Sequence, residues 1–326
     1  MTGASLQPRA RLGFGCAALP IDQPRLARSL VACAFEHGVR HFDVAHLYGY
    51  GEVEKIVGDV LHDKRDRVTI TTKFGLDAGR RTLRTKLADR ARLMLQAVPQ
   101  LHDLVKRAKH ALRPPGPWQP PIGHFDLETA RSSLDASLRS LRTDYIDYWL
   151  LHESTAVLAA DEPLLAYFAR LREEGRVRHV GTGTCASTLL ADASAYPSDY
   201  TIFQFDSHVL NRAIEQFPRR AGAQLFTHGS LWPLRQCREM LKPRPSAVAR
   251  FQRDTGYDLL AGDTLPALLL QWAMVRNPEG IVLFFSRNPD HIRDNLRTIA
   301  ETPVSDAALA ALPDVFRTPE VAGAAT

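Results

Sequence analysis

The feature that most restricts the fold of this chain is a regular alternation of short apolar runs with longer amphipathic stretches. Eight runs have the length and composition of buried strands: 12–19, 41–44, 68–74, 145–151, 177–181, 202–205, 224–227 and 281–285. A strand covered on both faces reads as a nearly continuous apolar segment rather than an alternating one. Helical stretches fall between them at 23–37, 52–61, 127–141, 163–174, 264–276 and 289–300. The third places Leu127, Ala130, Leu134, Leu138 and Leu141 on one face at helical spacing. Gly175 stands where a helix C-cap belongs, and Pro289 suits a first helical turn.

Eight strands alternating with helices predict an α/β fold with a parallel sheet, either closed or doubly wound. Two observations favour a closed (β/α)8 TIM barrel. The 326 residues lie within barrel range. The first strand-to-helix turn carries Gly13 and Gly15 but no third glycine, so it lacks the dinucleotide-binding pattern of an open Rossmann sheet. The whole chain, 1–326, is therefore expected to form one barrel domain.

One segment breaks the rhythm. Residues 77–121 form a long basic insertion between strand 3 and helix 3. It carries Arg80, Arg81, Arg84, Lys86, Arg90, Arg92, Lys106, Arg107, Lys109 and Arg113 and ends in the proline-rich run 114–121. An insertion there leaves a barrel on the face where active sites are built, so a lid or substrate wall is the expectation. Its basic residues lack interleaved aromatics, which argues against nucleic acid as a partner despite the net charge of +5. No window reaches the roughly 18 uninterrupted apolar residues of a membrane span. Nor does the N-terminus carry an apolar leader, and a cytoplasmic protein without a membrane partner is expected. The four cysteines (Cys16, Cys33, Cys185 and Cys237) are scattered and suit a reducing compartment. No metal site is expected, because Gly38 should end the helix between His37 and His41.

Polar residues gather at the C-terminal ends of three successive strands. Asp43 closes the second, with Tyr48 in the loop beyond it. Lys73 lies near the end of the third, and His152 directly follows the fourth. In a barrel these four converge on one mouth. Reducing a carbonyl needs a hydride at carbon and a proton at oxygen. A phenol with its free pKa of about 10 is a weak acid, and a nearby ammonium lowers that value. Lys73 fits that role, Asp43 pairs with it, and His152 can orient the carbonyl oxygen.

The segments 42–52 (FDVAHLYGYGE), 68–74 (VTITTKF), 133–152 (SLDASLRSLRTDYIDYWLLH) and 171–181 (LREEGRVRHVG) resemble the blocks of the aldo-keto reductase family. The resemblance runs from about residue 11 to 299, outside the insertion. It implies a (β/α)8 barrel that binds NADP(H) at the strand C-termini, with NAD(H) as the alternative. It implies that Asp43, Tyr48, Lys73 and His152 take the catalytic positions, with Tyr48 as general acid or base. It also places Gln204 and Thr184 at the nicotinamide amide, Phe226 as the ring stacked on the nicotinamide, and Ser230 at the pyrophosphate. Ser286, Arg287, His291 and Asn295 match the adenosine-binding segment, where Arg287 suits a 2′-phosphate. Asp43 and Gly15 complete the cofactor positions. The match departs from the family where Thr182-Gly183-Thr184 replaces Ser-Asn, where Phe285 replaces a lysine, and where His291 replaces an arginine. The implied partner is a small carbonyl or alcohol: an aldehyde, ketone or aldose. The competing reading is a non-catalytic, cofactor-binding regulatory module on the same fold.

Overall fold

The computed structural model describes residues 11–77, 123–218, 220–301 and 303–317. Eight parallel strands close into a barrel in sequence order: β1 (Leu12–Gly15), β2 (His41–Asp43), β3 (Thr69–Phe74), β4 (Ile146–His152), β5 (Val177–Gly183), β6 (Ile202–Asp206), β7 (Gln224–His228) and β8 (Ile281–Phe284). β8 pairs back onto β1 through Leu12 and Val282. The barrel wins over the open sheet. Around it lie α1 (Pro24–Glu36), α2 (Glu52–Leu61), α3 (Leu127–Leu141), α4 (Glu162–Glu173), α5 (Ala186–Asp192), α6 (Leu234–Leu241), α7 (Pro245–Thr255), α8 (Thr264–Arg276), α9 (Pro289–Glu301) and α10 (Asp306–Phe316), with single turns between some of them.

Local chemistry explains the boundaries. Asp126 caps α3 by accepting from the Thr129 amide, and Asp161 caps α4 by accepting from the Leu164 amide. Gly175 ends α4 with a φ of 70°. β1 stops at Gly15, four residues short of the sequence expectation. The Cys16 amide still reaches Asp43 O at 2.8 Å, but Leu19 N turns back onto Cys16 O. α5 and α6 carry no strong sequence signal because each is short, and α10 is interrupted by Pro313; α7, opened by Pro245 and followed by Gly256 with a φ of 81°, carries start and stop signals that the sequence reading did not use.

Side chains alternate between two cores. Those facing outward from the strands, such as Phe42, Trp149, Phe203 and Phe205, join the helices in the main apolar core. Those facing inward, Leu150, Ile202, Phe226, Ile281 and Leu283, plug the barrel as a separate cluster with Tyr148. This plug is the floor on which the polar mouth stands. Near it, Asp147 (1% exposed) accepts from Arg65 Nη2 at 2.6 Å, Arg178 Nη1 at 2.8 Å and the Ile70 amide at 2.9 Å.

Gly58 lets α2 pass close to the backbone of α3, since a Cβ built there would lie 2.4 Å from Ser140 O. Gly58→Ala should therefore destabilise by ~1–3 kcal/mol despite alanine's better helix propensity. Urea denaturation checks this, and an unchanged midpoint would show that the helices can separate without loss.

His124 N donates to Gly75 O at 2.7 Å, so the chain leaves and returns at the C-terminal end of β3. Residues 78–122 themselves lie outside the described residues. Among the described residues no helix is long and apolar enough to cross a membrane.

Candidate active site

The loop after β2 presents Tyr48. Its backbone turns sharply through Gly49 (φ 56°), Tyr50 (φ 59°) and Gly51 (φ 80°), three consecutive left-handed residues. Two of the three are glycines, which take this conformation without strain. The loop is tied from below by Glu54, which is fully buried on α2. Glu54 accepts from Thr72 Oγ1 at 2.6 Å and faces His46 Nδ1 at 3.3 Å. Its carboxylate holds the His46 imidazole above its ordinary pKa, against the opposing effect of burial.

Lys73 lies at the centre. Its Nζ donates to Asp43 Oδ1 and Oδ2 at 2.8 and 2.9 Å and to Val44 O at 3.0 Å, and lies 3.4 Å from Tyr48 Oη. Lys73 and Asp43 are each 3% exposed. Burial alone would lower the ammonium, but Asp43 and Tyr48 outweigh it and raise its pKa. Lys73 therefore stays charged. The Tyr48 phenol is raised: burial pushes it up more strongly than Lys73 draws it down. The sequence expectation of a lowered phenol pKa is corrected here, because it counted the ammonium and not the desolvation. At neutral pH Tyr48 carries its proton and is not a phenolate.

His152 packs its ring edge-on against Tyr48, with centroids 5.7 Å apart. Burial first, then Lys73 and His228, lower its pKa to about 3. It is a neutral imidazole, able to donate one N–H. His41 is lowered to about 3 inside the barrel, chiefly by burial, where Thr69 and Thr71 hydroxyls satisfy both nitrogens. Both folded values lie below the ordinary 6.5. The unfolded chain then takes up protons first on acidification, so this stability is full above pH 6.5 and falls as pH drops toward 3. The urea midpoint should decline between pH 6.5 and 5, above the ordinary carboxylate range. A flat midpoint over that interval would contradict the burial of these two rings.

Asp43, Tyr48, Lys73 and His152 line one cavity of about 540 Å³ at the mouth. Its walls include Gly15, Asp43, Tyr48, Lys73, His152, Thr184, Gln204 and Ser230, all named from the sequence. Gln204 Nε2 donates to Asp43 Oδ2 at 2.9 Å, while its buried Oε1 has no partner among the described residues. Thr184 Oγ1 donates to Glu153 Oε2 at 2.9 Å, so its hydroxyl proton faces Glu153 rather than open space.

Phe226 is not brought to the site. It is fully buried in the barrel plug, 5.0 Å from the His41 ring and 4.9 Å from Tyr148. Depth along the barrel is the reason: His228 shares that face of β7 but lies two residues nearer its C-terminal end, and it lines the cavity instead. His228 stands 5.1 Å from Trp232, and Trp232 is 68% exposed at the rim. Ser286, Arg287, His291 and Asn295 are not among the cavity-lining residues: the first two lie between Phe285 and α9, His291 in the first turn of α9 and Asn295 at its middle. Arg287 and His291 are exposed, and Ser286 Oγ accepts from the Asn288 amide. Sequence reasoning missed Ala17, Ala18, Glu153, Gly183 and His228 as wall residues. For Glu153 and His228, position just past or at a strand's C-terminal end was an available signal.

A model of the aldo/keto reductase family matches residues 11–216. The chain belongs to that family. The pyridoxine 4-dehydrogenase of Escherichia coli (strain K12) is 21% identical over 325 residues, covering 94% of this chain and 95% of its own. The pyridoxal 4-dehydrogenase of Microbacterium luteolum is 26% identical over 198 residues, covering 56% of this chain and 54% of its own. The chain spans about half the length of the first curated relatives it matches, 47% in the case of the uncharacterised oxidoreductase YqkF of Bacillus subtilis. Among solved structures, a holo aldo-keto reductase from Bacillus halodurans aligns with a TM-score of 0.62 at 19% identity, over 95% of this chain and 94% of that one. An aldo-keto reductase from Klebsiella pneumoniae in complex with NADP and acetate aligns with a TM-score of 0.62 at 19% identity, over 95% and 92%. At such identities the structural likeness establishes the shared barrel fold.

Proposed function

We propose that this protein is an oxidoreductase that interconverts a small carbonyl compound and its alcohol, with Tyr48 exchanging the proton at oxygen. The observation that carries this reading is the Lys73 ammonium, held by both oxygens of Asp43 and 3.4 Å from Tyr48 Oη, inside a cavity large enough for a small molecule and a nicotinamide ring.

The cavity suits a nicotinamide. Gln204 Oε1 is a buried acceptor without a partner among the described residues, and a primary amide supplies the missing N–H. Gly15 and Ser230 belong to the same wall, and Ser286 and Arg287 ahead of α9, with His291 and Asn295 on it, are the candidates for the adenosine end. The reading favours NADP(H), which the Klebsiella pneumoniae relative holds, with NAD(H) as the alternative; an Escherichia coli relative is named an NADH-specific methylglyoxal reductase. When bound, the reduced nicotinamide supplies hydride to the carbonyl carbon.

The chain's own residues do the rest. His152 Nδ1–H or Nε2–H donates to the carbonyl oxygen and orients it. Tyr48 gives its proton to that oxygen as charge develops there. The resulting phenolate is stabilised by Lys73, whose charge Asp43 maintains. Because burial keeps the phenol protonated through the neutral range, reduction should be nearly flat from pH 6 to 8. Alcohol oxidation needs the phenolate and should climb through the alkaline range. The test is nicotinamide oxidation and reduction with a panel that includes pyridoxal, methylglyoxal and aldoses, across pH. Cofactor binding without turnover of any member would favour the regulatory module instead.

A further inference from the structure

The wall of the cavity carries a carboxylate that proton transfer at Tyr48 does not use. Glu153 directly follows His152 and lines the same space as Tyr48, Lys73 and Gln204. Its backbone takes a φ of 58°, a left-handed conformation that a residue with a long side chain adopts only against a local penalty. The fold holds it there: Glu153 N donates to Gly183 O at 2.7 Å. One carboxylate oxygen is fixed to the two residues that follow β5. Oε2 accepts from Thr184 Oγ1 at 2.9 Å and from the Cys185 amide at 3.3 Å. The other, Oε1, has no protein partner among the described residues, and no cation of theirs is paired with the group. Burial raises its pKa, while the two hydrogen bonds from Thr184 and Cys185 oppose that effect.

A carboxylate accepts hydrogen bonds and donates none. A half-buried one, clamped on one oxygen, presents an acceptor of fixed position and negative charge to whatever fills the cavity. A hydroxyl on the substrate satisfies it. An alkyl group in that place leaves the charge partly desolvated and unpaired, and an anionic group there is repelled.

Resting on the oxidoreductase reading above, we infer that Glu153 is a specificity-determining residue that selects carbonyl substrates carrying a hydroxyl next to the reacting carbonyl and rejects carboxylate-bearing ones. The substrate class is then hydroxy-aldehydes and hydroxy-ketones, aldoses and ring hydroxy-aldehydes included, rather than simple alkanals or 2-oxo acids.

Three ketones that differ in one group beside the carbonyl test this: hydroxyacetone, butanone and pyruvate. The wild type should prefer hydroxyacetone over butanone in kcat/KM by about 10-fold or more and should turn over pyruvate more poorly than butanone. Glu153→Leu should abolish the hydroxyl preference. Glu153→Gln keeps an acceptor for the Thr184 and Cys185 donors and turns a neutral donor toward the cavity. It should raise pyruvate relative to butanone by on the order of 10-fold. The readout is the ratio between substrates, so a general loss of activity in a variant does not affect it. Equal ratios in wild type and both variants would overturn the assignment. Binding of the same three ketones to the cofactor-loaded protein, followed by NMR titration, reads the ranking independently of turnover. Turnover with unchanged ratios sinks the role of Glu153 alone. Binding that is ranked as expected, but without turnover, supports the Glu153 role and sinks the oxidoreductase reading.

Discussion

Tyr48→Phe should reduce turnover by ~10²–10⁴-fold, the usual contribution of a positioned general acid or base. At the middle of that range the lost transition-state stabilisation is about 4 kcal/mol. The substitution removes one hydroxyl and keeps the ring, so the edge-on packing against His152 at 5.7 Å persists. Lys73 keeps its two contacts to Asp43 and its contact to Val44 O, so its charge remains compensated. The effect should accordingly fall on kcat, with cofactor affinity close to wild type and the thermal midpoint little changed. Steady-state kinetics with the best substrate of the panel, beside a fluorescence titration of the cofactor, separates these quantities. A variant that retained more than a tenth of wild-type turnover would place the proton donor elsewhere, with His152 the nearest candidate.

The second large effect concerns stability. Asp147→Ala should destabilise the protein by ~3–5 kcal/mol, the usual consequence of removing one partner of a buried ion pair. The Arg65 side chain is 9% exposed and would be left charged without its carboxylate. The Ile70 amide at the start of β3 would lose its acceptor as well. Arg178, the other cation on Asp147, has a side chain 55% exposed, so Arg178→Ala should change stability by less than ~1 kcal/mol. Equilibrium urea denaturation of both variants decides the matter. If the two lost similar amounts, the argument from burial would fail.

Much of the fold was legible because it depends on short-range patterns. Strands covered on both faces must be apolar, and all eight were visible on that ground, within a few residues except at β1. The polar exceptions were equally legible: a lysine within 69–74, or a histidine directly after an apolar run, is out of place unless the mouth of a barrel receives it. The family-matched group of Asp43, Lys73 and Tyr48 is drawn together, with His152 packed against the tyrosine ring. The short helices α5 and α6 were not legible, because seven or eight residues are too few to show a helical period and packing against the barrel supports them.

Other features depend on distance and burial that a linear string does not carry. Phe226 and His228 are two residues apart and both aromatic. Only the barrel's closure shows that one fills the plug and the other reaches the cavity. Thr184 has a hydroxyl in either description, and only the tertiary structure turns it toward Glu153. The Tyr48 phenol shows the same division most sharply. The residue types alone establish an ammonium, a carboxylate and a phenol available for proton transfer. Whether the phenol's pKa falls or rises depends on how completely water is excluded. Desolvation is a property of the assembled barrel, and here it outweighs the lysine's pull.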